Sequence, residues 1–295
     1  MKPVFIMMVG LPGSGKSTDA SELAIAHDAT IFSSDSLREE LFGDINHQAD
    51  NTKLFEELHK RIKDCLKEGK SAIYDATNIN YKRRMAFLAE LKNIPCKKIC
   101  VLMATPYEEC LKRNAERDRK VPEDVIKRMY MNISIPYWYE GWDDIQIKYS
   151  TMSKKNIMMW LGEHIYDSQD NPHHSLTLGD HCLKTGTQLA DNPVLMCAGL
   201  LHDCGKPFVK SFVNARGEQT EVAHYYQHQC PSSYDSLFFS MPVDVNPLDV
   251  AILINLHMQP YFNKEEKTKN KYRKLWGEEL YNNVMKLHAA DKASK

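Results

Sequence analysis

The 295-residue sequence lacks a long apolar run, a closely spaced cysteine pair and an excess of charge of either sign. No apolar stretch approaches the roughly 18 residues of a transmembrane helix. The early apolar run 4–9 has no small-residue cleavage site behind it, so we expect no signal peptide. The eight cysteines contain no C-x-x-C pair, which is typical of reduced thiols. We therefore expect a cytoplasmic protein that does not enter a membrane.

The charge balance excludes a globally basic, histone-like nucleic-acid binder. There are 38 Lys+Arg and 39 Asp+Glu, with a formal net charge of −1. A local basic groove remains compatible with this balance, because electrostatic steering depends on where the charges lie. Histidine is unevenly distributed, since nine of the 12 histidines lie from His164 onward.

Strand and helix signals alternate along the first half of the chain. Apolar runs predict strands at 4–9, 29–33, 71–76 and 98–104, and helices at 16–27, 52–68 and 82–92. This order predicts an α/β domain with a parallel sheet and helices on both faces. After about residue 150 the strand signals fade, and segments 175–190, 193–203, 224–239, 248–256 and 278–295 predict an all-α region. We therefore predict two domains, 1–150 and 151–295.

Residues 10–18 match the phosphate-binding pattern G-x-x-x-x-G-K-S, directly after a predicted strand and at the start of a predicted helix. Backbone N–H groups and the helix dipole can cradle phosphate oxygens there. The Lys16 ammonium would reach the β- and γ-phosphates, and the Ser17 hydroxyl would bind Mg²⁺. The predicted ligand is ATP, or another NTP, with Mg²⁺. The predicted binding residues are Gly13, Ser14, Gly15, Lys16, Ser17 and Thr18.

Two carboxylates follow predicted strands and are expected at the same edge of the sheet. Asp35 could accept a proton from an acceptor hydroxyl, with Arg38 one helical turn later. Alternatively Asp35 or Ser34 caps the next helix, and both roles can hold together. Asp75 ends the third strand and could hold Mg²⁺ through water or shape the acceptor pocket.

A basic segment follows the fourth strand. Residues 112–128 contain seven basic and four acidic side chains, and Arg113 and Arg117 are spaced to share one helix face. Such a face can act as a lid that neutralises the charge of the transferring phosphoryl group. The alternative is a charged helix exposed to solvent, which is the usual structure of such a sequence.

Residues 1 to about 135 resemble the kinase domain of phage-type polynucleotide 5′-kinases. The resemblance rests on the P-loop, Asp35-x-x-Arg38, Asp75-x-x-Asn78 and the Arg113-Asn114…Arg117 segment that precedes Val121-Pro122. It implies that Asp35 is the general base on the 5′-hydroxyl, that Arg38 positions the acceptor, and that Arg113 and Arg117 hold ATP phosphates.

The second half carries a His-Asp pair at the end of an apolar helix, His202-Asp203, followed by Gly205-Lys206. A histidine lies in the preceding helix, and an aspartate lies near the end of the last helix. Helices of a bundle can deliver such ligands inward. Imidazole and carboxylate donors suit Mn, Fe, Ni, Co or Mg rather than a structural zinc.

Residues 170–295 resemble the HD phosphohydrolase superfamily. The resemblance assigns four metal ligands to His181, His202, Asp203 and Asp291, and two further ligands of a second ion to His228 and His257. It implies that Asp203 bridges the ions and that Lys206 binds a phosphate oxygen or protonates the leaving group. His224 is a further candidate if it shares a helix face with His228. His164, His173, His174 and His288 are interpreted as surface or capping residues.

Together the two halves resemble RNA end-healing enzymes that join an HD module to a polynucleotide kinase. This implies 5′-hydroxyl phosphorylation and removal of a 2′,3′-cyclic or 3′-phosphate, with RNA ends as substrate and a separate RNA ligase as a candidate partner. One alternative is a nucleoside or small-molecule kinase fused to an HD nucleotidase. Another is a nucleotide-sensing regulatory protein without catalysis.

Overall fold

The computed structural model describes residues 2–47, 49–172, 174–263 and 265–295, and the chain divides into two compact units. The first unit comprises residues 1–129 and 136–151, and the second comprises residues 130–135 and 152–295. A single cut at residue 150 therefore differs from this division, because the short segment 130–135 groups with the second unit. None of the described helices is long and apolar enough to cross a membrane.

The first unit contains a five-stranded, all-parallel sheet with strand order β2-β3-β1-β4-β5. The predicted parallel α/β fold is thus confirmed. Its strands are β1 Val4–Val9, β2 Ala29–Ser33, β3 Ser71–Asp75, β4 Lys97–Ala104 and β5 Asp144–Tyr149. Central β1 is buried along most of its length, which is typical of a strand covered on both faces.

Six helices accompany this sheet, and the order of strand and helix places the loops after β1, β2 and β3 at one edge. These helices are α1 Lys16–His27, α2 Ser34–Phe42, α3 Asn51–Lys67, α4 Tyr81–Glu90, α5 Tyr107–Ala115 and α6 Glu123–Tyr130. In α3, the residues Leu54, Leu58 and Ile62 recur at helical spacing and are buried, so burial of one apolar face fixes this helix against the sheet.

The second unit is helical, as predicted, apart from one short antiparallel hairpin. Its helices are α7 Ile157–Glu163, α8 Leu178–Thr187, α9 Pro193–Leu201, α10 Lys206–Val209, α11 Gln229–Asp235, α12 Pro247–Leu256, α13 Gln259–Phe262, α14 Glu266–Trp276 and α15 Glu278–Ala293. The hairpin consists of β6 Ser211–Val213 and β7 Gln219–His224. The prediction of an all-α region is wrong at this hairpin, and residues 224–228, expected in a helix, precede α11.

Helices α8, α9, α12 and α15 pack against one another and form the core of this unit. Helices α9 and α12 are apolar almost all round, and most of their residues are buried, as expected for central helices. Each of the two ends in a histidine at its C-terminal cap, His202 and His257 respectively. Packing of these apolar helices therefore brings two imidazoles into the interior.

Candidate active sites

The phosphate-binding loop joins β1 to α1 through two glycines in the left-handed region. Gly13 has φ 79° and Gly15 has φ 94°, a conformation that strongly favours glycine. A Cβ on Gly13 would lie 2.3 Å from the carbonyl oxygen of Cys110, so backbone contact also requires glycine there. The loop ends at the N-terminus of α1, where free N–H groups attract anions.

Lys16 is buried at the start of α1. Its Nζ donates to the carbonyl of Leu11 at 2.7 Å and lies 3.5 Å from the Ser14 hydroxyl. Burial lowers the pKa of Lys16 to about 8, although nearby Asp75 raises it, and Arg117 contributes a further lowering. The positive charge of Arg117 therefore acts on Lys16.

Ser17 and Asp75 meet at the edge where β3 ends. The Ser17 hydroxyl donates to Asp75 Oδ2 at 2.8 Å. A hydroxyl beside a carboxylate is an oxygen donor set of the kind that Mg²⁺ prefers. Next to this pair, Asn78 adopts φ 47° and its amide donates to the carbonyl of Met8 at 2.9 Å, which ties the loop after β3 to β1.

Asp35 lies in the first turn of α2 and is paired with two arginines. Arg38 donates to Asp35 Oδ1 at 3.1 Å, and Arg119 forms an ion pair with Asp35 Oδ2. The cap of α2 is Ser33, whose hydroxyl accepts from the backbone N–H of Asp35. The alternative that Asp35 or Ser34 caps this helix is therefore wrong, and the Asp35 carboxylate is available for another role.

Arg38 is only 5% exposed, and its guanidinium is incompletely satisfied. One nitrogen donates to Asp35 and another to Asn51 Oδ1 at 3.0 Å, whereas the buried Nε has no hydrogen-bond partner. Burial lowers its pKa, against the raising effect of Asp35. A buried donor without a partner is costly unless a ligand satisfies it.

The basic segment after β4 differs from the predicted helix face. Helix α5 ends at Ala115, so Arg117 lies beyond it and does not share a helix face with Arg113. Arg113 pairs with Glu109 at 2.8 Å. Within this segment Arg119, which the sequence did not single out, forms an ion pair with Asp35 in addition to that of Arg38. No helical periodicity could have indicated it, because it lies in an irregular loop.

A second cluster of donors lies in the interior of the C-terminal unit. All six side chains are buried: His181, His202, Asp203, His228, His257 and Asp291. The Nε2 atoms of His181 and His202 lie 3.1 Å apart, and those of His228 and His257 lie 3.2 Å apart. The structure thus brings together all six side chains that the sequence predicted as ligands here.

The four histidines share one hydrogen-bonding arrangement on their other ring nitrogen. Each Nδ1 lies within hydrogen-bond distance of a backbone carbonyl, at 3.3 Å for His181, 2.8 Å for His202, 2.8 Å for His228 and 2.7 Å for His257. With Nδ1 protonated, each Nε2 presents a lone pair to its neighbour. Facing lone pairs at about 3 Å fit a cation between them, and a carbonyl on the opposite nitrogen is the usual support of a metal-bound histidine.

Asp203 lies between the two histidine pairs. Its Oδ2 is 3.3 Å from Nε2 of both His181 and His202, and its Oδ1 is 3.1 Å from Nε2 of His228. Asp291 completes the first group, with Oδ1 3.2 Å from His181 Nε2. Each set could hold an ion: His181, His202 and Asp291 in one, and Asp203, His228 and His257 in the other.

For Asp203 and His202, burial and the neighbouring charges shift the pKa in opposite directions. Burial alone would raise the pKa of Asp203, but the charges of His202 and Lys206 hold it well below its usual range. Burial lowers the pKa of His202, but Asp203 and Asp291 together more than offset this, so that it rises to about 10. For His257, burial together with His228 lowers the pKa to about 3.

Lys206 lies at the edge of the cluster. Its Nζ donates to Asp203 Oδ2 and to Gln169 Oε1, both at 2.7 Å. His174, interpreted from the sequence as a surface or capping residue, is half-buried, and its Nε2 lies 3.4 Å from Lys206 Nζ at the edge of the cluster. Gln169 was not anticipated, because a single glutamine in a loop carries no sequence signal.

Tyr261 is another unanticipated neighbour of the cluster, since its hydroxyl donates to Asp291 Oδ2 at 2.8 Å. Helix α15 has 16 residues, so Asp291 is supported by a full-length helix near the end of the chain. His224 ends β7 and stacks on Tyr226. The premise that His224 shares a helix face with His228 is therefore wrong.

Three other histidines were interpreted from the sequence as surface or capping residues. His164 caps the end of α7 and its Nδ1 lies 2.6 Å from Asp167, which agrees with a capping role. His288 packs against Tyr261 and is half-buried. His173 lies outside the described residues.

Comparison with known proteins supports the N-terminal fold. Residues 5–136 match the AAA domain family. Over 165 residues the chain is 28% identical to L-seryl-tRNA(Sec) kinase of Methanococcus maripaludis, which covers 54% of this chain. The chain spans 64% of the length of that curated relative.

Two solved structures are similar in fold. Kti12 of Chaetomium thermophilum, in complex with ADP-AlF3, is 17% identical, covers 50% of this chain and 89% of its own, and has a TM-score of 0.43. A chain of the Pnkp1/Rnl/Hen1 RNA repair complex is 21% identical, covers 43% of this chain and 42% of its own, and has a TM-score of 0.38. The family match and the sheet topology together show the parallel α/β fold of P-loop kinases in the first unit, which is followed by a helical region.

Proposed function

We propose that the protein is a bifunctional nucleic-acid end-healing enzyme. Its first unit phosphorylates a 5′-hydroxyl with ATP, and its second unit is a metal-dependent phosphohydrolase of HD type that removes a 2′,3′-cyclic or 3′-phosphate. The observation that carries the proposal is that one chain holds both a phosphate-binding loop, whose Lys16 is influenced by the Asp35 carboxylate, and a buried six-donor histidine–aspartate cluster.

In the kinase reaction, Asp35 accepts the proton of the acceptor hydroxyl while the hydroxyl oxygen forms a bond to the γ-phosphorus. The bond from that phosphorus to the β–γ bridging oxygen breaks, and ADP leaves. Lys16 and Arg117 neutralise charge on the phosphates. Mg²⁺, when held by Ser17 and Asp75, supplies further charge neutralisation.

A polynucleotide acceptor is supported by the arginines around Asp35. The buried Nε of Arg38 has no hydrogen-bond partner, and Arg119 lies on the other side of the carboxylate. Guanidinium groups bind phosphate through directed hydrogen bonds. Arg38 and Arg119 can therefore hold a phosphate of the acceptor strand beside its 5′-hydroxyl and release Asp35 to act as the base.

In the hydrolytic reaction, Lys206 binds a non-bridging phosphate oxygen next to Asp203. The six donors of the cluster position one or two divalent ions of the Mn, Ni, Co, Fe or Mg type. When bound, such ions supply Lewis acidity toward the phosphate and lower the pKa of water. The backbone carbonyls on each Nδ1 keep the four imidazoles in the ligating tautomer.

The two activities are compatible because they act on different ends. Ribonuclease cleavage leaves a 5′-hydroxyl and a 2′,3′-cyclic phosphate, whereas a ligase needs a 5′-phosphate and a free 3′-hydroxyl. The similarity to a chain of an RNA repair complex agrees with RNA ends as substrate and a separate ligase as partner.

A second candidate acceptor is the hydroxyl of an aminoacylated tRNA. It is favoured by the 28% identity to a curated L-seryl-tRNA(Sec) kinase. With this acceptor the predicted kinase residues would keep the same roles. The second unit, however, would have no cyclic or terminal phosphate to hydrolyse on the same substrate.

The decisive experiment uses an RNA oligomer with a 5′-hydroxyl and a 2′,3′-cyclic phosphate, supplied with ATP, Mg²⁺ and Mn²⁺ or Ni²⁺. We expect the wild type to alter both ends. Lys16→Ala should abolish only 5′ phosphorylation, and Asp203→Ala only 3′ healing, so each variant serves as the control for the other. Phosphorylation of seryl-tRNA or a free nucleoside, with both RNA ends untouched, would contradict the proposal.

A further inference from the structure

A cavity of about 400 Å³ opens beside the histidine–aspartate cluster, within the second unit. Lys206 lines this cavity and also donates to the cluster through Asp203. The side chain of Lys206 is almost fully buried, so its ammonium forms the floor where the cavity meets the donors. A molecule whose phosphate lies at the cluster would extend its remaining part into this cavity.

The walls of the cavity combine apolar, aromatic and polar groups. Leu178 is buried on one side, the ring of Tyr225 lies 5.1 Å from Lys206 Nζ, and Tyr166 is 90% exposed at the rim. Asp167 and Asp170 add carboxylates to the lining. Apolar and aromatic walls with a few polar groups are typical of small-molecule sites.

Hydrogen bonds hold the rim in place. Lys210 donates to Asp170 Oδ2 at 2.6 Å and to the carbonyl of Ser168 at 3.0 Å. The Tyr225 hydroxyl donates to the carbonyl of Gln169 at 2.6 Å, and the amide of Gln169 donates onward to Leu176. The cavity is therefore preformed, and its ligand need not pay for ordering these loops.

Charge and size define the class of ligand. Two lysines line the cavity, and Lys210 is paired with Asp170 at the rim. Lys206 lies next to the donors through Asp203, so the anionic end of a ligand belongs at Lys206. The rest of the ligand lies near Asp167 and Asp170 and is uncharged. A volume of about 400 Å³ is near the lower end of the usual range for ligand pockets. It suits one planar ring with a sugar.

We propose that this cavity binds the 3′-terminal nucleoside of the hydrolysed substrate, with its base against Tyr225 and Tyr166 and its phosphate at Lys206. This inference rests on the proposed function and specifies its substrate. A base that lies in this cavity cannot pair with a complementary strand at the same time, so we expect single-stranded or frayed ends as the substrates of the second unit.

The test measures binding of two product oligomers by calorimetry in the presence of Mn²⁺. Both are RNA trinucleotides with the same 5′ end and a 3′-hydroxyl, and one lacks the base of its last nucleotide. Stacking of a base on an aromatic side chain is worth about 1–3 kcal/mol, so we expect the wild type to bind the complete trinucleotide roughly tenfold more tightly. The matched variants below all lie in the second unit and therefore distinguish this preference from binding in the first unit.

Matched variants locate this preference. Tyr225→Leu should reduce the ratio of the two dissociation constants toward one, whereas Tyr225→Phe, which keeps the ring, should retain it. Tyr226→Leu, at a neighbouring exposed tyrosine outside the cavity, should leave it unchanged. If Tyr225→Leu does not fold, Tyr166→Ala tests the same wall at an exposed position and should lower the ratio.

Equal affinity of the wild type for both trinucleotides would overturn the inference, as would a base preference that survives Tyr225→Leu in a folded protein. Phosphate release from the same trinucleotide carrying a 3′-phosphate is measured separately. A base preference without any phosphate release would refute the hydrolase proposal and support the cavity as a nucleoside site.

Discussion

Arg84 and Glu140 form a fully buried, bidentate ion pair in the first unit. The Arg84 Nε donates to Glu140 Oε2 at 2.8 Å, and another nitrogen donates to Oε1 at 2.6 Å. The same arginine donates to the carbonyl of Asn78, and Trp142 donates to Glu140. The pair thereby holds the loop after β3, which carries Asn78, at the nucleotide edge of the sheet.

We predict that Arg84→Met destabilises the protein by about 3–5 kcal/mol, because it leaves an unpaired buried carboxylate. The double variant Arg84→Met/Glu140→Leu should be less destabilised than this single variant. Urea unfolding of the wild type, both single variants and the double variant measures these free energies. A double variant that loses the full sum of the two single losses would show that the pair does not couple.

His59 makes the first unit sensitive to acid. Its ring packs on Phe87 with centroids 4.2 Å apart, and burial lowers its pKa below the ordinary 6.5 despite the raising effect of Glu90. The unfolded chain therefore binds the proton first as the pH falls through 6.5, so His59 contributes stability above that pH and loses it below.

We predict that the free energy of unfolding falls between pH 7 and pH 5, and that His59→Gln shows a smaller fall. Urea unfolding at several pH values, followed by tryptophan fluorescence, measures both curves. Parallel curves for the two proteins would show that His59 does not contribute to the pH dependence.

Helices α8 and α9 approach one another through two glycines. A Cβ on Gly199 would lie 2.8 Å from the Cα of Gly186, and a Cβ on Gly186 would lie 2.5 Å from Leu200. This close contact sets the spacing of the two helices that carry His181 and His202. The spacing of these ligands thus depends on residues with no side chain.

We predict that Gly199→Ala lowers stability by about 1–3 kcal/mol through overpacking and weakens Mn²⁺ binding as well. Gly162→Ala, on α7 where no neighbour lies within 4 Å of the new Cβ, is the matched control and should be neutral or stabilising. Thermal unfolding and Mn²⁺ calorimetry measure both effects. If the Gly199→Ala protein is destabilised but binds Mn²⁺ with unaltered affinity, the spacing of α8 and α9 does not control the positions of His181 and His202.

Regular elements were predictable where the apolar pattern was strong. Strands β1 and β2 have the bounds that their apolar runs predict. For β1 the reason is burial, because a parallel strand covered on both faces must be continuously apolar, whereas β2 is partly exposed. The β6–β7 hairpin has no such pattern, and α14 carries charges at most of its positions. Their structure depends on tertiary contacts that a local pattern does not contain.

The candidate sites were predictable for a different reason. Residues of the phosphate-binding loop and the cluster ligands follow fixed spacings that the chemistry imposes, as in His202-Asp203. Supporting residues such as Arg119, Gln169 and Tyr261 reach their partners across the fold, from loops or from short segments without a motif. Only the three-dimensional structure brings them to the site.

Two ligands should stabilise the two units separately. A ligand that binds only the native state adds about 2.7 kcal/mol to the free energy of unfolding at a concentration of 100 times its dissociation constant. We predict that MgATP raises the unfolding temperature of one calorimetric transition and that Mn²⁺ raises that of another. Lys16→Ala should remove only the first shift and Asp203→Ala only the second. A chelator should reverse the Mn²⁺ effect, and loss of both shifts in either variant would contradict this assignment.

The assignment of residues 130–135 to the second unit has a practical consequence for separating the two proposed activities. The chain passes from the first unit to the second at residue 130, returns at 136 to supply β5, and passes over again after 151. Tyr130, Ile133 and Ile135 are at most 2% exposed. A truncation at 150 would expose these apolar side chains in one fragment and remove them from the other. Point substitutions, rather than excised halves, are therefore the sound way to silence one reaction at a time.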